Sequence, residues 1–193
     1  MKKRIFPFCL LLMAFLCLPL SAQRVALKTN LLYDLTSTPN IGAEFGIGKK
    51  STVQLVYGFN PWSFSEGKQI KHWQLMPEYR WWPCSKFNGH FFGIHAMGGQ
   101  FNMAKVDLKL PFYDWPSDLE DARYEGWNVG GGLTYGYQWI LGKHWNFEAS
   151  LGVGYDYIKY KKYPCEDCGS LIEEGHKNYF GLTKAVLSIL YVF

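Results

Sequence analysis

Between Gly126 and Tyr160 the chain reads GWNVGGGLTYGYQWILGKHWNFEASLGVGYDYIKY, and its residues alternate in kind with a period of two. Trp127, Val129, Leu133, Tyr135, Tyr137 and Trp139 take odd positions, while Asn128, Gly130, Gly132, Thr134, Gly136 and Gln138 take even ones. After Leu141-Gly142-Lys143-His144 the pattern resumes, with Trp145, Phe147, Ala149, Leu151, Val153, Tyr155 and Tyr157 set against Asn146, Glu148, Ser150, Gly152, Gly154 and Asp156. Period two is the signature of a β-strand, whose successive side chains point to opposite faces. Two such strands joined by four residues make a hairpin with one apolar face and one polar face. Whether protein or lipid covers the apolar face decides where such a chain resides and most of what it can do.

The apolar face is sorted by height. Aromatic residues cluster at the ends of the hairpin, and Val129, Leu133, Ala149, Leu151 and Val153 fill its middle. Two aromatic girdles around an aliphatic band match a lipid-facing surface. A soluble β-sandwich also shows period two, but its core has no reason to sort side chains by height. The segment HWQLMPEYRWW repeats the arrangement, with Trp73, Leu75, Tyr79 and Trp81 on one face. The opposite face is mostly Gly, Asn, Ser, Thr and Gln, which suits the filled interior of a small barrel.

With period two, the chain divides into eight strands, at 24–35, 40–48, 51–60, 71–82, 89–103, 123–140, 144–160 and 176–193. GKKS, PCSKFNG and LGKH make short turns, whereas PWSFSEGKQI, VDLKLPFYDWPSDLEDA and KKYPCEDCGSLIEEG are longer and polar. The expectation is an all-β fold, an eight-stranded antiparallel transmembrane β-barrel with short periplasmic turns and longer external loops.

The amino terminus fits export. Lys2-Lys3-Arg4 precedes IFPFCLLLMAFLCLPL and Ser21-Ala22-Gln23, the order of a secretory signal peptide over residues 1–22, followed by one barrel domain over 23–193. Pro7 and Pro19 interrupt the apolar run, which is shorter than the roughly 20 residues a spanning helix needs. The chain has 20 Lys+Arg against 16 Asp+Glu, and the leader carries three of the bases, so the remainder has 17 against 16, or +1. That balance, with no basic cluster interleaved with stacking aromatics, gives no reason to expect nucleic acid as a partner.

Parity assigns an inward set: Lys28, Asn30, Glu44, Gln54, Asn60, Gln74, Glu78, Arg80, His95, Glu148 and Lys184. Its six charged members balance, Lys28, Arg80 and Lys184 against Glu44, Glu78 and Glu148. Buried charges are tolerated when paired, so the expectation is a plug of ion pairs filling the lumen. A structural plug is favoured over a narrow pore or a pair of carboxylates working as acid and base.

Cys84, Cys165 and Cys168 follow the leader. Cys165 and Cys168 form a C-x-x-C in one long loop. An exported chain favours a disulfide between them over a zinc site, which would lack two further good ligands. Cys84 lies in a short turn at the other end. No metal or cofactor is expected. Among the histidines, His72, His90, His95 and His144 show no spacing that nominates a triad. His144 and Ser150 share strand parity about 20 Å apart, too far for proton transfer. The loop LPFYDWPSDLEDA offers Phe112, Tyr113 and Trp115 among acids as a candidate external contact. The last strand ends on Phe193 with Tyr191 two before it, which resembles the signal read by the outer-membrane barrel-assembly machinery.

A resemblance joins these readings. Lys28-Thr29-Asn30-Leu31, Thr38-Pro39-Asn40 with Gly42 and Glu44, and Gly58-Phe59-Asn60-Pro61-Trp62 resemble an uncharacterised family of small outer-membrane barrels, a domain of unknown function from Bacteroidales-type Gram-negative bacteria. The resemblance implies a cell-surface barrel with a loose link to surface fimbriae, with Pro39-Asn40 in the first external turn. It carries over no catalytic residues. The expected function is a non-enzymatic outer-membrane protein with a structural or surface-interaction role. Its expected partners are outer-membrane lipid, the barrel-assembly machinery and a surface protein met by the external loops. An outer-membrane lipid-modifying enzyme and a narrow pore stand as the alternatives.

Overall fold

The structure is a computed structural model that describes residues 24–63, 68–105, 122–164 and 169–193. The expected leader, Cys165, Cys168 and the contact residues Phe112, Tyr113 and Trp115 lie outside the described residues. Eight strands follow one another: β1 (Val25–Asn30), β2 (Asn40–Gly46), β3 (Ser51–Asn60), β4 (Gln69–Trp81), β5 (Gly89–Ala104), β6 (Arg123–Ile140), β7 (Trp145–Tyr163) and β8 (Glu173–Val192). Each pairs antiparallel with the next, and β8 returns to β1 from Ala26↔Val192 to Asn30↔Ser188, so the sheet closes on itself as a ring. Closure removes the free edges that an open sheet leaves to be protected.

The alternation in sequence becomes an inside and an outside. Along β6, Leu133 and Tyr135 are exposed while Thr134 and Gln138 are buried; along β7, Leu151 and Val153 are exposed while Glu148 and Ser150 are buried. The register carries this around the ring. Val53, Tyr79, Ile94, Leu133 and Val153 are successive partners across β3–β7 and form one outward row. Trp139 and Phe147 pair at one end of the hairpin, and Trp127 packs on Tyr157 toward the other, with ring centroids 5.7 Å apart in both pairs.

All three short connections, 47–50, 82–88 and 141–144, lie at one end of the ring with Arg24 and Phe193. The longer ones, 31–39, 61–68, 105–122 and 164–172, leave from and return to the other. The short end is closed from inside. Phe87 swings from the 82–88 turn into a buried cluster with Ala26, Leu190 and Val192. Its backbone sits at φ 64°, a left-handed conformation that disfavours side chains, and Asn146 Nδ2 donates to its carbonyl at 2.9 Å. Trp82 stacks between Phe87 and Phe91, with centroids 6.1 and 4.8 Å away.

Two expectations change. The strand expected over 24–35 ends at Asn30, because Leu31–Leu35 forms a short helix, α1. Asn30 caps it, its Oδ1 accepting from the Leu32 amide at 3.2 Å. Asp34 on the helix accepts from Thr29 Oγ1 at 2.9 Å and from Asn40 Nδ2 at 2.9 Å, tying α1 to both flanking strands. Pro39 lies in the connection as expected, but Asn40 is already the first residue of β2.

The second change concerns β8. Period two placed Tyr179 on the face of Ala185, Leu187, Ile189, Tyr191 and Phe193. The register instead slips at Gly152/Val153, where Lys184 and Leu182 are successive partners and Thr183 is left over. One extra residue moves every side chain beyond it to the opposite face. Tyr179 therefore stands across from buried Asp156, and Phe180 is the exposed residue.

Candidate functional site

The interior is polar because the even positions of β6 and β7 and their register partners all point into it. The charged residues come from five strands of the ring: Lys28 from β1, Glu44 from β2, Glu78 and Arg80 from β4, Glu148 from β7 and Lys184 from β8. Ring closure brings all six together, each nearly inaccessible to solvent.

Arg80 is the hub. Its Nη1 lies 3.0 Å from Glu44 Oε2 and 2.8 Å from Glu148 Oε2, and its Nη2 lies 2.7 Å from Glu148 Oε1 and 3.2 Å from Glu78 Oε2. The guanidinium also lies over Phe91, with Cζ 4.2 Å from the ring centroid. A planar fork suits this work because it reaches several carboxylates at once, which an ammonium does with less order. Lys28 bridges Glu44 at 2.8 Å and Glu148 at 2.9 Å, and Lys184 pairs with Glu78. Neutral donors complete the shell. Thr52 Oγ1 donates to Glu44 at 2.7 Å, Ser150 Oγ to Glu148 at 3.2 Å, and Gln54 to Glu78.

Small residues make the room. A Cβ on Gly93 would strike the Glu78 carboxyl, and one on Gly42 would sit 2.7 Å from Lys28 Cγ. The glycines of the inward face are thus the space that the long charged side chains occupy.

The other inward residues are where parity put them, with Asn30, Gln54, Asn60 and His95 buried and Gln74 half-buried. His95 is held between Thr134 Oγ1, 2.9 Å from Nδ1, and Thr183 Oγ1, 3.0 Å from Nε2. The six-charge set leaves out Asp156, which faces inward with Asn128 Nδ2 at 3.1 and 3.2 Å. The even-position rule already contained it. Thr52, Gln138 and Ser188 also belong to the buried set, and only the closed ring shows that Thr52 meets Glu44 and that Gln138 and Ser188 stand in register with Glu148. Gln138 has no hydrogen-bond partner for either amide atom among the described residues, and Glu78 Oε1 has none.

The remaining histidines stay apart. His90 is on the outer face against Tyr135, His144 bonds the Val192 carbonyl in a short turn, and His72 is half-buried on β4. Ser150 donates to Glu148 rather than meeting His144. Cys84 is exposed and free in the 82–88 turn. Among the described residues, no group of three or more His, Cys, Asp and Glu side chains is arranged to hold a metal ion. Tyr191 and Phe193 pack edge to face on each other, centroids 4.9 Å apart, at the end of β8.

Chemically, three cations and three carboxylates meet as a neutral cluster drawn from five strands, each charge engaged by an opposite one. Such an arrangement stiffens a ring by linking strands that are not neighbours.

One family model, described as Protein of unknown function (DUF3575), matches residues 8–193. The chain belongs to that family. No curated protein and no solved structure matches it. Lys28, Glu44, Glu78, Arg80, Glu148 and Lys184 all fall within the matched region, so the whole ring and its ion cluster lie inside the family's span.

Proposed function

We propose that this member of the family is a non-enzymatic outer-membrane β-barrel with a structural or surface-interaction role. The observation that carries the reading is the outer surface. Leu27, Ile41, Val53, Leu55, Ile94, Leu133, Leu151 and Ile189 are exposed on seven of the eight strands, and aromatic residues stand toward both ends. A soluble protein rarely leaves so continuous an apolar belt in water, whereas lipid covers it at no cost. The closed ring supports the same reading, because every strand then finds its partners without water.

In this reading residues 1–22 direct export, Tyr191 and Phe193 serve recognition by the assembly machinery, and the short turns face the periplasm. The long connections face outward and meet a surface partner, with Phe112, Tyr113 and Trp115 as anchors in the 105–122 loop. In the same reading the lumen is plugged rather than conducting, which is supported by Arg80 reaching from β4 to carboxylates on β2 and β7.

Membranes isolated from cells making the full chain test this. In SDS without boiling, the protein should run at a different mobility from the boiled sample and appear in the outer-membrane fraction. Release by osmotic shock, with no boiling-dependent shift, would sink the proposal.

A further inference from the structure

Two neighbouring rows on the outer face mark a change of solvent. The lower one runs through Phe59, Trp73, Gln100, Trp127 and Lys159, which are successive register partners from β3 to β7. Two residues further along each strand the partners are Lys71, Asn102, Glu125, Lys161 and Glu174, from β4 to β8. Three aromatic side chains of the lower row, Phe59, Trp73 and Trp127, thus stand one step of the pleat from an upper row with no aromatic and four charges. Between the rows lies a groove of about 690 Å³, lined by residues of both.

The acids of the groove are occupied. Glu174 accepts from Lys159 at 2.8 Å, and Glu125 accepts from Tyr163 Oη at 3.0 Å and lies 3.8 Å from Arg123. Lys71 and Lys161 form no ion pair among the described residues. Trp73 is held by its Nε1, which donates to Gln100 Oε1 at 3.1 Å. Below the groove the outward positions of β5 and β6 become small, with Gly98 between Leu75 and Val129, and Ala96 beside Gly131. A Cβ on Gly98 would meet only the Asn128 carbonyl, at 3.7 Å, so the surface there is open.

We propose that this groove holds a lipid of the surrounding leaflet that carries an anionic phosphate headgroup. The phosphate meets Lys71 and Lys161, Trp73 and Trp127 flank the glycerol or sugar, and an acyl chain lies in the recess at Ala96, Gly98 and Gly131. The assignment rests on the membrane reading above. The charge pattern selects the headgroup. Lysine is a point charge suited to phosphate, and a choline or ethanolamine cation would be driven against the same lysines. Tryptophan belongs at this depth, where one edge of the indole meets hydrocarbon and the other meets headgroups.

Native mass spectrometry tests it, on the folded full chain released from micelles holding equal amounts of phosphatidic acid and phosphatidylcholine. The wild type should retain phosphatidic acid in preference. Lys71→Gln with Lys161→Gln should weaken that retention about thirtyfold, roughly fivefold for each lysine. Lys49→Gln with Lys143→Gln, at the short-turn end, should leave it unchanged. Equal retention of both lipids by a chain that still shows the boiling-dependent shift overturns the groove and leaves the barrel standing. So does loss of the preference in the Lys49/Lys143 variant alone. A chain with no shift and no bound lipid overturns both.

Discussion

Arg80 holds Glu148 with both ends of its guanidinium, Nη1 at 2.8 Å from Oε2 and Nη2 at 2.7 Å from Oε1, joining β4 to a strand that is not its neighbour. Removing the arginine leaves Glu44, Glu78 and Glu148 facing two lysines in a site without solvent. Arg80→Met should therefore cost about 3–5 kcal/mol, read from urea unfolding of the folded protein in detergent. Glu78→Gln with Arg80→Met removes one charge of each sign and should cost less than Arg80→Met alone. Its conductance in a planar bilayer should match wild type. A large rise in conductance with the fold intact would turn the plug into a gate.

Asn30 closes the seam between the first and last strands. Its Oδ1 accepts from the amides of Leu32, at 3.2 Å, and Leu187, at 3.1 Å, and its Nδ2 donates to the Ala185 carbonyl at 3.4 Å. The side chain thus does the work of a strand where β1 has stopped. Asn30→Ala should cost roughly 2 kcal/mol, about half from the lost helix cap and half from the stranded β8 groups. Asn30→Asp keeps the acceptor and should cost less in the same unfolding measurement.

Thr183 is the extra residue of the β8 bulge. Deleting it would close the bulge and leave Phe180 outward and Tyr179 inward, because Val153 already pairs with Leu182, but it would take a partner from His95. The shortened chain should keep the compact, boiling-sensitive form on gels, with a lower urea midpoint for the lost His95 contact. Thr183→Ser keeps both the bulge and the hydroxyl and should match wild type in both measurements; loss of the shift in the deletion would mean that the bulge itself is needed for closure.

Phe87 sets strain against burial. A glycine there would relieve a left-handed backbone worth about 1–2 kcal/mol, but it would remove a ring buried beneath Trp82, at about 3–5 kcal/mol. Burial wins the comparison, so Phe87→Gly should lower the urea midpoint, while Phe87→Leu should fall between the two.

Strand periodicity alone sorts the two sides of the strands, except in β8 beyond its bulge. Successive side chains must point to opposite faces, so Leu133 parts from Thr134 and Val153 from Gly152 on spacing alone. The six members of the ion cluster followed from the same rule, and so did their balance of charge. Asp156 was legible too, on an even position of β7. Alternation is local, however, and says nothing of where it is interrupted. The helix at Leu31–Leu35 depends on Asn30 capping an amide while Asp34 ties down Thr29 and Asn40, contacts made across two strands. The bulge at Thr183 shows only against the β7 register, and a single unpaired residue reversed the face of Tyr179. Only the assembled ring puts Arg80 between Glu44, Glu78 and Glu148, and gathers Lys71 and Lys161 into a groove above Trp73 and Trp127. Closure places residues together by strand order and register, and neither is written in the spacing of any one strand.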